Sequence, residues 1–255
     1  MTAGHLVLRN CTTLDEFDQC VSLQKEVWGF SDAELVPLRI FSLAPKIGGQ
    51  VVGAWMGETL VGYAMAIPGN RHGHPYLHSH MVAVKEDHRN TGIGRSLKLF
   101  QREDAIARGY GLMEWTFDPL EIKNSYFNLE RLGAIARRYN VNQYGITNSP
   151  LQGFLPTDRL VAEWWLTSRR VNALQTTGHH PAFHVDERVA VPQQIYEWKA
   201  GPQTRAKAEG VQARNRYLLQ TAFARGLCCL GYELDEDGNG RFELGLWDEN
   251  LSYAP

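Results

Sequence analysis

Hydrophobic and polar positions alternate in short blocks along the chain, and each block predicts an element. Residues 6–10 read as a first strand. Thr12 or Thr13 then caps a helix over 14–28, with Glu16 three residues after Thr13 as in a capping box, and Leu14, Phe17, Val21, Leu23 and Val27 on its apolar face. A second helical stretch over 37–46 ends at Gly48-Gly49. Strands over 50–56 and 59–67 flank the tight turn Gly57-Glu58. A loop over 71–75 precedes a strand over 77–84. A helix over 94–108 stops at Gly109, a strand over 111–117 breaks at Asp118-Pro119, and a helix over 120–132 runs to Gly133.

Beyond a strand over 135–144 the pattern loosens. Residues 148–156 are rich in turn formers, 159–166 form a strand, and 175–202 are irregular. A helix over 204–225 and a hairpin over 227–247, turning at DEDGNGR, close the chain. The predicted organisation is a domain over 6–147 and a C-terminal extension over 148–255.

Composition narrows the class. The chain has 255 residues, 44% hydrophobic, with a net charge of −2. That supports a full core, and no Lys/Arg run points to nucleic acid. The four cysteines, at 11, 20, 228 and 229, show no metal-ligand spacing and read as buried free thiols of a reducing compartment. The opening MTAGHLVLRN has no basic segment followed by an apolar one, and no apolar run approaches the roughly 20 residues of a membrane span. The expectation is a soluble cytoplasmic protein.

The chemistry concentrates in HSHMVAVKEDHRNTGIGR, residues 78–95. A strand meets a charged turn, and the glycine-spaced loop Arg89-Asn90-Thr91-Gly92-Ile93-Gly94 opens into a helix. Backbone N–H groups at a helix N-terminus, aided by the helix dipole, form a pyrophosphate cradle. A P-loop would need a lysine after Gly94, where Arg95 and Ser96 stand. A dinucleotide loop would need glycine where Leu97 stands, early in a βαβ unit.

With the order of elements around it, this segment resembles the acyl-CoA-binding motif [QR]-x-x-G-x-[GA] of the GNAT superfamily of acyltransferases, matched by Arg89, Gly92 and Gly94. The resemblance covers roughly residues 6–145. It implies an α/β fold with a GNAT-like mixed, mostly antiparallel sheet flanked by helices, followed here by a C-terminal α+β extension. It further implies that strands 77–84 and 111–117 lie parallel and splay around the pantetheine arm. Val82 and Val84 would offer backbone groups to the acyl carbonyl and pantetheine amides. Arg89, Asn90, Thr91, Gly92, Ile93, Gly94 and Arg95 would hold the pyrophosphate.

A second motif, KNSYFNLERLG over 123–133, makes Asn124 a candidate pantetheine contact; Asn128 lies four residues on. Many relatives carry a tyrosine general acid where this chain has Leu129. Tyr126 is the first alternative, then Tyr139 and Tyr144. The general base of relatives, a glutamate four residues before the valine that ends the strand, falls on His80; Glu114 is the second candidate. His78 shares the strand face of His80.

Five histidines lie between 72 and 88, but their spacing from Gly73 and Glu86 misses a metal-barrel pattern, so no metal site is expected. His179, His180 and His184 read as loop residues. Trp164, Trp165, Trp198 and Trp247 read as core, and Arg205, Lys207, Arg214 and Arg216 as a solvated helix face. The strings SHM-x-x-V and DPL resemble a little-characterised predicted-acetyltransferase branch. The implied activity is N-acyl transfer from acetyl-CoA or another acyl-CoA to a small-molecule or peptide amine, without metal, nucleic acid or membrane, and with a homodimer allowed. A non-catalytic acyl-CoA sensor and a histidine-cluster metal enzyme are the alternatives.

Overall fold

The computed structural model describes residues 5–146 and 153–249. Among the described residues, ten strands and seven α-helices make a mixed, mostly antiparallel α/β fold. The chain packs as two compact units that divide between Met113 and Glu114. The 147/148 boundary expected from sequence, and residues 148–152 of the turn-rich stretch, lie outside the described residues.

In the first unit, β1 (Leu6–Asn10) pairs antiparallel with β2 (Gln50–Met56), β2 with β3 (Thr59–Arg71), and β3 with β4 (His74–Val84). Helix α1 (Leu14–Trp28) starts in the predicted capping box: Thr13 Oγ1 accepts from Glu16 N at 3.3 Å, and Glu16 Oε2 accepts from Thr13 N at 3.1 Å. Helix α2 (Leu38–Leu43) is shorter than predicted. Pro45 has no N–H to continue it, so the chain tightens into a 3-10 turn over Ala44–Ile47. The expected 71–75 loop is instead a two-residue hairpin tip. His72 and Gly73 both take positive φ, 51° and 85°, so the flanking strands run on to Arg71 and from His74.

Side chains on alternate faces of these strands build two cores. Phe41, Tyr63, Met65 and Met81 pack with α1 residues Phe17, Cys20 and Leu23 on one face. Val52, Ala54, Val61 and Ala64 pack on the other with Ile93 and Leu97 of helix α3 (Ile93–Ala107). Strand β5 (Leu112–Phe117) crosses the boundary between the units.

In the second unit, helix α4 (Ile122–Tyr126) passes directly into a π-helical turn over Phe127–Arg131, where a longer regular helix was predicted. Strand β6 (Ile135–Asn140) pairs antiparallel with β7 (Arg159–Trp165). The irregular stretch of the sequence holds real elements: α5 (Arg169–Thr177), β8 (Glu187–Val191) and α6 (Ile195–Ala200). Helix α7 (Arg205–Ala224) follows. Strand β9 (Leu227–Leu234) then pairs with β6 and with β10 (Gly240–Leu246), which pairs with β8. Trp164 is fully buried, its Nε1 donating to Leu132 O at 2.7 Å. All four cysteines are free and buried.

Candidate functional site

Strand β4 carries a bulge at the centre of the candidate site. Ala66 pairs with Ser79 and Met65 with Met81, which leaves His80 without a partner on β3. The extra residue re-aims the strand. Ser79 faces α3, its Oγ donating to Gln101 Oε1 at 3.1 Å, whereas Met81 joins the α1 core. Val82 and Val84 then return to the α3 face.

The His80 ring is solvent-accessible, with the His78 ring centroid 6.0 Å away. Surrounding protein still excludes enough bulk water to disfavour the imidazolium, so its pKa is lowered from histidine's ordinary 6.5. A neutral imidazole with a free face can accept a proton.

The loop after β4 is tied down by its own backbone. Lys85 N donates to Val61 O at 2.9 Å, a 3-10 turn spans Glu86–His88, and Arg89 N donates to Glu86 O at 3.1 Å. Arg89 Nε donates back to Val84 O at 3.3 Å, and Thr91 Oγ1 to His88 O at 2.6 Å. Asn90 and Gly92 take the left-handed conformation, φ 61° and 91°. Gly92 ends the loop as the N-cap of α3, and no side chain caps the helix there. The first-turn N–H groups have no intrahelical acceptor and point outward with the helix dipole.

Both glycines leave space in front of this terminus. A Cβ built at Gly92 would meet nothing within 4 Å, and one at Gly94 only Val84 Cγ2 at 3.9 Å. Packing within the protein therefore does not demand glycine at 94. Ile93 and Leu97, 6% and 0% exposed, seat the helix on β2 and β3 and hold the terminus in place. An uncapped, rigidly anchored N-terminus with open space before it suits a phosphate group.

One group on α3 escaped the sequence reading. Lys98 is buried, with Nζ 3.4 Å from Met113 Sδ, and burial holds its pKa well below the usual lysine value. A lone lysine in an amphipathic helix carries no sequence signal for this.

The other predicted residues lie in the second unit. Glu114 is buried and accepts from Arg138 Nη2 at 2.5 Å. Arg138 Nε donates to Glu163 Oε1 at 3.0 Å, and Arg137 Nε donates to Glu163 Oε2 at 3.0 Å. Two consecutive arginines reach one carboxylate because β6 is irregular between Ala136 and Tyr139.

Asn124 is exposed on α4 and Tyr126 is half-buried. Asn128 does not share the surroundings of Asn124: the π turn carries it inward, where its Oδ1 accepts from Trp115 Nε1 at 3.2 Å. Leu129 is wholly buried. Tyr139 donates to Asp158 Oδ2 at 2.6 Å, and burial together with that carboxylate pushes its pKa up. Tyr144 is exposed, its hydroxyl 3.0 Å from Thr116 Oγ1.

The basic residues of α7 are engaged rather than simply solvated. Arg205 lies over the Phe154 ring, Lys207 over Trp198, Arg214 donates to Ala190 O, and Arg216 pairs with Asp158. His180 Nε2 sits 2.9 Å from Glu130 Oε2, so it is not an idle loop residue. Among the described residues, no three His, Cys, Asp or Glu side chains gather as a metal-holding group. Among those residues, no helix is long and apolar enough to cross a membrane.

Residues 17–124 match the Acetyltransferase (GNAT) family. Solved structures share the fold at low identity. A GNAT-family protein from Desulfovibrio desulfuricans is 15% identical, with a TM-score of 0.52 over 64% of this chain and 100% of its own. The ribosomal-protein-S18-alanine N-acetyltransferase of Escherichia coli is 12% identical, with a TM-score of 0.51 over 64% and 96%. A Salmonella typhimurium protein solved with its cofactor acetyl-CoA is 15% identical, with a TM-score of 0.51 over 64% and 95%. No curated protein matches the chain. The fold is that of the GNAT acetyltransferases, and residues 17–124 carry the match to that family.

Proposed function

We propose that this protein transfers an acetyl or other short acyl group from acyl-CoA to the nitrogen of a small-molecule or peptide amine. The observation that carries the reading is the uncapped N-terminus of α3 behind Gly92, with open space in front of Gly92 and Gly94. In this reading the backbone of Gly92, Ile93 and Gly94 takes the pyrophosphate. Arg89, Asn90, Thr91 and Arg95 surround it, and Asn124 meets a pantetheine amide.

The bound thioester supplies an electrophilic carbonyl: a C–N bond forms to the amine and the C–S bond breaks. His80, kept neutral by its surroundings, takes the proton released by the amine. Backbone groups at Val82 and Val84 orient the carbonyl and stabilise the charge that develops on its oxygen. Tyr126 is the proposed donor to the departing sulfur, because Leu129 has no proton to give and Tyr139 is committed to Asp158. Glu114, held by Arg138, remains the second base candidate.

Buried Leu129 favours one other reading, a protein that binds acyl-CoA without turning it over. Two measurements separate them. Acetyl-CoA at millimolar concentration raises the melting temperature under either reading. Release of free CoA thiol across a panel of amines, amino acids and peptides occurs only under the first. No melting shift overturns both.

A further inference from the structure

The family match ends at Asn124, yet the helix that carries Asn124 and Tyr126 is held by residues that come later in the chain. Helix α4 has five residues, too few to hold itself, and it runs into a π turn that leaves carbonyls without regular helical partners. Groups from the C-terminal region hold these carbonyls and the Glu130 carboxylate. Arg170 is 4% exposed; its Nη2 donates to Leu129 O at 3.0 Å and its Nε to Gly133 O at 3.2 Å. Trp164 Nε1 donates to Leu132 O at 2.7 Å. Tyr232 N donates to Glu130 Oε1 at 2.7 Å, and His180 Nε2 lies 2.9 Å from Glu130 Oε2.

The other end of the segment is held as firmly. Lys199 on α6, also 4% exposed, reaches Asp118 Oδ2 at 3.1 Å and Glu121 Oε1 at 2.6 Å. Burial alone would discharge this lysine; the two carboxylates outweigh it and raise its pKa. At the Arg170 end, α5 also packs closely: a Cβ at Gly133 would come 3.3 Å from Leu174 Cδ2.

We propose that the C-terminal region serves as a two-ended clamp on residues 118–133, with Arg170 and Lys199 as positioning residues for Asn124 and Tyr126. The inference rests on the acyl-CoA reading above and gives the long extension a part in it. Neither residue touches the reaction. Each fixes where α4 stands, and displacement by about 1 Å is enough to weaken a positioned group severely.

The test compares two probes on the full-length protein. Acetyl-CoA has the pantetheine arm; 3′-phosphoadenosine 5′-diphosphate has the same adenosine and phosphates without it. In Arg170→Met and Lys199→Met, acetyl-CoA should bind about tenfold more weakly, the equivalent of one lost hydrogen bond, while the diphosphate probe keeps its affinity. Arg170→Lys, which keeps a charged donor, should recover part of the loss. Two variants are needed because either buried cation could be required for folding. Folded variants that keep full affinity for acetyl-CoA, or that lose both probes equally, overturn the clamp. A wild-type protein that binds neither probe overturns the acyl-CoA reading instead. The clamp is then judged by hydrogen exchange: unchanged protection of amides 122–133 in Arg170→Met overturns it.

Discussion

His78 and His80 stand on the same side of β4 with ring centroids 6.0 Å apart, although Ser79 and Met81 face opposite sides. A regular strand would send Ser79 and Met81 to one face. The bulge breaks that alternation. One strand can then present an accessible imidazole and still pack Val82 and Val84, both partly buried, against the α3 core. The candidate base and the candidate phosphate site are thus coupled through a single extra residue.

The first prediction concerns pH. His80 works as a base only when neutral, and its pKa lies below the ordinary histidine value because desolvation disfavours the cation. The neutral form therefore predominates above that lowered pKa, and kcat/KM should rise with pH through it and then level. His80→Gln should remove this acidic limb and lower kcat by roughly 10²- to 10⁴-fold. An unchanged limb in His80→Gln assigns the base elsewhere.

A second prediction separates the two loop glycines. At Gly92, φ is 91°, so Gly92→Ala is strained by about 1 kcal/mol whatever the space around it. At Gly94, φ is ordinary and the space is open, so Gly94→Ala should raise stability by up to about 1 kcal/mol. The acyl-CoA motif admits alanine at this position, so Gly94→Ala should melt higher than wild type and keep its melting shift with acetyl-CoA. Gly94→Asp puts a carboxylate in front of the α3 terminus and should lose that shift. An undiminished shift in Gly94→Asp places the phosphates elsewhere.

Local chemistry made much of this legible in the sequence. Thr13 and Glu16 announce α1 and Gly92 and Gly94 announce the loop, whereas His80 becomes a candidate base only through the resemblance to relatives that carry a glutamate four residues before the strand-ending valine. The bulge was not legible, because burial along β4 still alternates from Leu77 to Val84 and only the pairing with β3 reveals the skipped residue. The π turn was hidden for a similar reason: its sequence suits an ordinary helix, and the donors that stabilise it, Arg170 and Tyr232, lie far along the chain. In the loosened C-terminal region, Ser168 caps α5 by accepting from Val171 N, a signal too short to stand out among polar neighbours.

Glu114 gives a third prediction, on stability. It is 1% exposed and paired with Arg138, which also holds Glu163. Removing one partner of a buried pair costs roughly 3–5 kcal/mol, and Glu114→Ala should fall near the low end because Arg138 keeps its second carboxylate. Urea denaturation measures the loss. The folded fraction should retain the acidic limb of the pH profile, since that limb belongs to His80; its disappearance would make Glu114 the base.

The fourth prediction addresses the acid. Leu129 occupies the position of the tyrosine acid in many relatives but is wholly buried, so a phenol there would have no route to a ligand. Leu129→Tyr should therefore overpack the core, cost about 1–3 kcal/mol and leave kcat no higher. Tyr126 is half-buried on α4 and is the first phenol to test, ahead of Tyr144. Tyr126→Phe keeps the ring and removes only the proton. It should lower kcat roughly 10²-fold, the low end for general-acid assistance, because a thiolate departs readily even without help. Affinity for acetyl-CoA, measured by calorimetry, should stay unchanged. Equal kcat in Tyr126→Phe and wild type would show that the sulfur leaves unassisted or takes its proton from water, and a rise in kcat for Leu129→Tyr would show that the π turn can open far enough to admit a phenol.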